Sequence, residues 1–443
     1  MSPSQEPSSE DARAPKKITV LSRAAQVLTL ADGELGPRAG AAQGALGLRE
    51  QYSVVLQDGV IAWCGPADTL DRAAVDAGAG ARDERRAEVE ELDCRGKVIM
   101  PALVDSHTHV VWGGARKDEL ERRLAGADYE EIFAAGGGIL SSVRQTRALP
   151  EDELYNQTHR RLSRMRAAGT TTFEIKSGYG LETETELKQL RVARRLQNEG
   201  GFRVRSTCLA AHAIPAEHRG SAEGRARFLA LVTDEILPAV AREQLADYCD
   251  VFCDRGAFTP EETRVIFQRA RALGLRPRVH ANEFGHTGGA QVAAELAAAS
   301  ADHLLHLDAR ERAALRDAGV IATLLPGTST VLGKPFADGR ALVEDGVPVA
   351  VATDCNPGSC AFENLALVLA LACYGCRLSP AEAVCATTHN AAASLGLARE
   401  LGRVADGLQA DLLVLETDDY RDLVYHAGSP LVHAVYQAGA RVA

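Results

Sequence analysis

The 443-residue sequence has no apolar run long enough to cross a membrane. Its most hydrophobic stretches, such as Val98–Val104 and Val349–Thr353, fall far short of the roughly 20 apolar residues that a helical span demands. It also lacks a long basic run. With 49 Lys+Arg against 60 Asp+Glu the net charge is −11, which argues against a broad nucleic-acid or anionic-membrane surface and leaves acidic small molecules to local cations. A dense cysteine framework is missing too: Cys64, Cys94, Cys208, Cys249, Cys253, Cys355, Cys360, Cys373, Cys376 and Cys385 are scattered along the chain. Reduced thiols in a cytoplasmic protein are expected. Cys373-Tyr-Gly-Cys376 has redox-like spacing but lies in an apolar, helix-like run without a second pair, so packing is its expected role. Residues 1–17, rich in Ser, Pro and Glu, have no apolar centre, so they lack the core of a secretory signal and read as a disordered leader.

What is present is 46% hydrophobic and 25% charged residues in a chain long enough to bury about three quarters of its unfolded surface, which excludes a disordered or fibrous protein. Residues 18–97 read as short strands and turns, among them Ile18–Leu21, Gln26–Leu30 and Tyr52–Leu56. The same texture returns near the C-terminus in Asp411–Leu415, Leu431–Val435 and Ala440–Val442, after a helical stretch over Ser379–Leu397. Residues 18–97 and 400–443 are therefore expected to join into one composite β domain.

Between them, residues 98–399 alternate short β-rich runs with amphipathic segments of helix length, the pattern of βα units on a parallel sheet. Eight strands are expected: Leu103–His107, Thr171–Lys176, Val204–Ala210, Tyr248–Cys253, Arg276–Ala281, Ala301–Leu304, Val320–Leu325 and Val349–Asp354. Eight such units predict an α/β fold built on a closed (β/α)8 TIM barrel, with an open doubly wound sheet as the alternative.

The residues that carry chemistry sit at the ends of these strands, where barrels place their active sites. Val98–His109 reads as a buried strand ending in His107-Thr-His109, whose i, i+2 spacing puts both imidazoles on one face. Neutral imidazoles suit a borderline divalent cation. His280 closes the fifth strand and Asp354 the eighth, where a buried carboxylate is costly unless paired or metal-bound. His107, His109, His280 and Asp354 are thus the expected ligands of one divalent metal, zinc favoured over iron. Glu283, three residues beyond His280, is placed to act as general base, and His303 at the end of the sixth strand to orient water and stabilise oxyanion charge.

The segment Pro101-Ala-Leu-Val-Asp-Ser-His-Thr-His109, the fifth-strand His with Glu three residues on, the sixth-strand His and the eighth-strand Asp resemble the amidohydrolase superfamily, in its mononuclear branch with cyclic deaminases. That resemblance implies a (β/α)8 barrel with a composite β-sandwich domain. Longer runs are similar to those of the imidazolonepropionase family: Val111–Arg116, Ala135–Ser141, Gly169–Glu182, Glu184–Leu190, Ala211–Pro215, Leu325–Thr328 and Thr353–Ser359. The activity it implies is opening of the imidazolone ring of 4-imidazolone-5-propanoate to N-formimidoyl-L-glutamate, in histidine degradation. Arg116 is carried over as the forked donor for the substrate carboxylate, with Tyr179 and His212 as hydrogen-bonding or stacking partners and Asn356, Gly358 and Ser359 as further contacts. A homodimer is also implied. Lys176 is assigned no role, because it is not at the fourth-strand position where binuclear relatives carry a bridging lysine. The sequence departs from the family pattern at Ala102, Asn282 and Thr330, the last expected to alter one wall of the pocket. The rival readings are a nucleobase-type deaminase of the same superfamily and a non-catalytic barrel.

Overall fold

The structure is a computed structural model that describes residues 17–33, 35–73, 75, 88–126 and 137–443. Of the leader expected over residues 1–17, all but Lys17 lies outside the described residues. The strands are β1 (Lys17–Leu28), β2 (Leu48–Gln57), β3 (Val60–Pro66), β4 (Glu88–Asp93), β5 (Val98–Pro101), β6 (Leu103–Asp105), β7 (Thr170–Lys176) and β8 (Arg203–Ala211). They continue as β9 (Tyr248–Cys253), β10 (Arg276–Ala281), β11 (Ser300–His303), β12 (Ile321–Leu324), β13 (Val349–Val351), β14 (Leu412–Leu415), β15 (Val432–Gln437) and β16 (Ala440–Arg441).

Strands β6 to β13 pair in parallel and in chain order, each neighbouring the next, with helices between them. Alternation along a strand sorts its side chains between two environments. In β7, Phe173 and Ile175 pack outward with Leu154, Leu162, Val192 and Leu196 of the helices Glu151–Ala167 and Thr183–Asn198, so Glu174 and Lys176 point into the barrel. The seam between the first and eighth strands closes beyond their ends: Asp354 N donates to His107 O (3.0 Å), His109 N donates to Cys355 O (3.0 Å), and Thr108 bridges Cys355. Below it, Asp105 accepts from Thr353 N at 3.0 Å and from Thr353 Oγ1 at 2.6 Å. The expected barrel is thus present, and the residues that complete its rim are themselves expected ligands.

The remaining strands form a second sheet in the order β16-β15-β14-β5-β1-β2-β3, with β4 also on β1. Strand β1 replaces two expected shorter strands. It bends at a register shift between Leu21 and Ala24, where Arg23 has φ 58°, so its first half pairs with β4 and its second half with β5. The bend wraps the sheet around a separate apolar core containing Leu21, Val27, Val54, Ile61, Ile99, Val414 and Tyr436. Val98–His109, expected as one strand, is split. β5 pairs with β1 and β14 in the sheet of the chain ends, and the crossing into the barrel falls at Ala102, whose N–H donates to Asp411 O (3.0 Å).

Some boundaries differ from expectation for a local reason. β6 stops at Asp105 and β13 at Val351, so His107, His109 and Asp354 lie just past the ladder, where backbone can turn toward the axis. The helical stretch over Ser379–Leu397 is broken into Pro380–Thr387 and His389–Ser394 at Thr388 (φ −125°, ψ −88°). Cys373 and Cys376 lie in the helix Leu365–Cys376, and all ten cysteines are unpaired thiols.

Candidate active site

The four expected ligands converge at the C-terminal mouth of the barrel. His107 and His109 rings lie 5.3 Å apart, and His280 lies 4.6 Å from His107 and 5.3 Å from His109. Asp354 Oδ1 approaches His109 Nε2 at 3.4 Å and His107 Nε2 at 3.6 Å, while its Oδ2 accepts from Thr328 Oγ1 at 2.5 Å. All four are at most 3% exposed.

Carboxylates set the tautomers of two of these rings. His107 Nδ1 donates to Asp302 Oδ2 (2.7 Å) and His280 Nδ1 donates to Asp250 Oδ1 (3.0 Å), which leaves both Nε2 lone pairs facing the centre. His280 Nε2 then sits 3.4 Å from His109 Nε2. Burial holds His107 well below the ordinary histidine value, with Lys176 adding to the effect, and burial also lowers His109 and His303. Burial pushes Asp354 up, but the hydrogen bonds from His109 and Thr328 work against it and the carboxyl is held down to about 2. Neutral imidazoles and an ionised carboxylate are the forms that bind a divalent ion.

The donor set therefore fits a metal. His107 Nε2, fully buried, has no hydrogen-bond partner among the described residues. Ligand atoms of His107, His109 and Asp354 all lie within 4.8 Å of one another, as do those of His107, His280 and His303. Without a cation, inward-facing lone pairs would oppose each other across a buried space.

Glu283 and His303 border this centre, with Glu283 Oε2 3.7 Å from His303 Nε2. Burial pushes the Glu283 carboxyl up to about 8, helped by the charge of Asp354. Its backbone is pinned from below: Asp254 Oδ2 accepts from Glu283 N (2.6 Å) and Phe284 N (3.0 Å). Asn282 donates to His306 O (2.7 Å) and Glu311 Oε1 (2.8 Å). Asn282, His303 and Asp354 all have positive φ, 54°, 75° and 52°, so three strand ends at the site hold backbone conformations that cost of order 1–3 kcal/mol each.

On the other side lie Tyr179 and His212. His212 stacks on His109 at 5.1 Å and 19°, and Tyr179 lies 5.5 Å from His212. His212 Nδ1 donates to Gly178 O (3.1 Å), which leaves Nε2 as an acceptor. Gly178 has φ +111°, and a Cβ there would fall 2.8 Å from His212 Nδ1, so glycine is required for this approach. Glu186 ties the loop down by accepting from the N–H groups of Gly178, Gly180 and Leu181 at 3.0, 2.7 and 2.8 Å.

Arg116 forms an ion pair with Glu119 Oε2 through Nε (2.9 Å) and Nη2 (2.6 Å), and Glu119 Oε1 also accepts from Gly138 N at 3.1 Å. Its Nη1 points at Gly358, where an added Cβ would lie only 2.0 Å away. The Asn356 side chain is committed to its own turn: Oδ1 accepts from Gly358 N and Ser359 N, both at 2.8 Å, and Nδ2 donates to Asp354 O and Ser359 Oγ. It shapes the loop rather than reaching out of it. Thr330 is exposed and its hydroxyl folds back on Pro326 O (2.8 Å), while its neighbour Thr328 is the residue that touches Asp354.

Sequence reading left Lys176 without a role and missed its partners beneath the mouth. Glu174, Lys176, Asp250, Arg278 and Asp302 form a fully buried charge cluster inside the barrel. Burial pulls the Lys176 ammonium down, but Asp250 and Glu174 outweigh it and hold it above its ordinary value. The available signal was charge at alternate positions of apolar strands, as in Glu174-Ile-Lys176 and Arg278-Val-His280.

A barrel whose mouth gathers three histidines, an aspartate and a buried glutamate has the architecture of a metal-dependent hydrolase. The amidohydrolase family model matches residues 98–442. The chain is 42% identical over 417 residues to an imidazolonepropionase of Geobacillus kaustophilus, covering 94% of this chain and 96% of that protein. It is 44% identical over 413 residues to one of Deinococcus radiodurans, covering 93% and 97%. Among solved structures, a triazine hydrolase variant superposes with TM-score 0.73 at 17% identity, covering 96% of this chain and 94% of that one, which shows the shared fold. The chain belongs to the amidohydrolase family, and within it to the imidazolonepropionases. It is a hydrolase acting on a C–N bond.

Proposed function

We propose that this chain opens the ring of 4-imidazolone-5-propanoate by hydrolysis, giving N-formimidoyl-L-glutamate, with the residues at the barrel mouth in the following roles. His107, His109, His280 and Asp354 would hold one divalent ion, zinc in preference to iron, since three imidazoles and one carboxylate suit borderline cations. When bound, that ion supplies a Lewis acid that makes water a nucleophile near neutral pH.

Glu283 takes a proton from the attacking water as the water oxygen bonds to the ring carbonyl carbon. The same carboxyl then gives that proton to the departing ring nitrogen, the C–N bond breaks, and water has been added across it. His303 donates toward the developing oxyanion. Arg116, held by Glu119, binds the propionate carboxylate with the donors left free, and Tyr179 and His212 flank the ring. Gly358 leaves room for Arg116 in the loop that Asn356 shapes, and Ser359 borders the substrate from the same loop. We further propose that residues 18–97 and 400–443 act as a supporting β domain for the catalytic unit of residues 98–399, whose first strand, β5, completes the supporting sheet before the chain enters the barrel, and that the protein is a cytoplasmic homodimer. Ten unpaired cysteines accord with a reducing compartment.

The observation that carries the reading is the convergence of His107, His109, His280 and Asp354 beside a carboxyl whose affinity for protons is raised to about 8. The test is an assay of purified protein with freshly generated 4-imidazolone-5-propanoate before and after chelation. Loss of ring absorbance with appearance of N-formimidoyl-L-glutamate, abolished by chelator and restored by zinc, is the expected result. Absence of conversion by the metal-loaded protein, or release of ammonia from a nucleobase instead, refutes it.

A further inference from the structure

We propose that Lys176 is a positioning residue for the metal centre: one buried ammonium holds the three carboxylates that orient the metal-binding histidines. The proposal rests on the reading of His107, His109 and His280 as ligands, and it concerns a residue to which that reading gives no part.

Lys176 ends β7 and is fully buried inside the barrel. Its Nζ lies 2.8 Å from Glu174 Oε1, 2.8 Å from Asp250 Oδ2 and 3.9 Å from Asp302 Oδ2. Each of these carboxylates also accepts a hydrogen bond from a ligand segment. Asp250 Oδ1 accepts from both the ring Nδ1 (3.0 Å) and the backbone N–H (3.2 Å) of His280. Asp302 Oδ2 accepts from His107 Nδ1 at 2.7 Å. Glu174 Oε2 accepts from the backbone N–H of Thr108, the residue between His107 and His109, at 3.1 Å. Two of the four ligands are therefore one hydrogen bond away from a carboxylate that meets Lys176, and the third carboxylate holds the backbone between His107 and His109.

The alternative hub, Arg278, is differently committed. Its guanidinium donates to Ser106 O (2.8 Å) and Ser394 O (3.1 Å), and it stands 3.8 Å from Asp302 and 4.0 Å from Glu174. It ties the backbone before His107 to the helix His389–Ser394 and comes no nearer than 3.8 Å to these carboxylates, whereas Lys176 reaches two of them at 2.8 Å. Three buried carboxylates this close repel one another unless a cation sits among them. Without the ammonium they would separate, and the imidazoles that follow them would lose the orientation that aims Nε2 at one point.

The experiment compares the full-length parent with Lys176→Met, which keeps the length of the side chain and removes its charge, and with Lys176→Gln, which keeps a donor and is the fallback where the methionine variant does not fold. Zinc affinity is measured on metal-stripped protein by competition with a chromophoric chelator, alongside melting of the metal-free chain and the visible spectrum of the cobalt-loaded protein. The expected result is zinc binding weakened 10–100-fold with an altered cobalt spectrum. Parent protein that fails to bind zinc refutes the ligand reading itself. Parent binding with a folded variant weakened less than tenfold, whatever its melting temperature, overturns the role of Lys176. Failure of both variants to fold overturns it as well, because Lys176 would then be a structural strut.

Discussion

The barrel and the sheet of the chain ends each contain eight strands, yet their interiors are opposites. The sheet of the chain ends encloses Leu21, Val27, Val54, Ile61, Ile99, Val414 and Tyr436, an ordinary apolar core. The barrel encloses Glu174, Lys176, Asp250, Arg278 and Asp302, and sends its apolar side chains outward to the helices. Apolar burial stabilises a fold wherever it occurs. Paired buried charge contributes little net stability and instead holds neighbouring groups in one geometry. The difference separates support from chemistry: one interior makes the protein stable, the other makes its mouth specific.

Three changes would break or sharpen this contrast. The largest expected effect is on the chemical step. Glu283→Gln should lower kcat by about 10²–10⁴-fold while zinc content stays at the parent level, as measured by steady-state kinetics and metal analysis. A base works only when deprotonated, and burial raises Glu283 above its ordinary value. The parent kcat/KM should therefore fall as pH drops through a limb lying between the ordinary 4.5 and about 8, a bound cation pulling it toward the lower end. That limb should vanish in the Gln variant, and its survival would assign the base elsewhere.

In the apolar interior the expected effect is on stability alone. Ile61 is fully buried in β3, away from the mouth, so Ile61→Ala should cost about 2–5 kcal/mol in denaturant unfolding and leave kcat/KM of the folded enzyme within about twofold. A loss of activity without a loss of stability would undo the division between the two interiors. The smallest effect belongs to Glu119, which holds Arg116 and Gly138 together. Glu119→Ala should raise KM about tenfold with kcat nearly unchanged, since it loosens a binding contact rather than the reacting centre. An equal fall in kcat would place Arg116 in the chemical step.

The barrel strands were legible because each combines an apolar run with a helical segment after it. Tyr248–Cys253 and Arg276–Ala281 are found with the expected boundaries, and the ligands at strand ends are found together. The chain ends were read less well. β3 and β4 went unnoticed, and β4 is half-exposed and rich in Glu, so it carries no apolar alternation to read. The split of Val98–His109 was hidden for the opposite reason: Val98–Val104 is apolar throughout, and Pro101 is the one local break where the chain changes sheets.

Residue type and spacing by themselves determined the barrel and singled out His107, His109, His280, Asp354 and Glu283 as the candidates that the fold brings to its mouth. These depend on short-range pattern: strand parity, and chemistry that few side chains can perform. Only the tertiary structure decided which partners those residues have. Lys176 meets Asp250 across 74 positions of sequence and Asp302 across 126, and Asn356 turns its side chain inward on its own loop. Such contacts are set by where eight strands bring their inner faces around a common axis, and no local pattern encodes that distance.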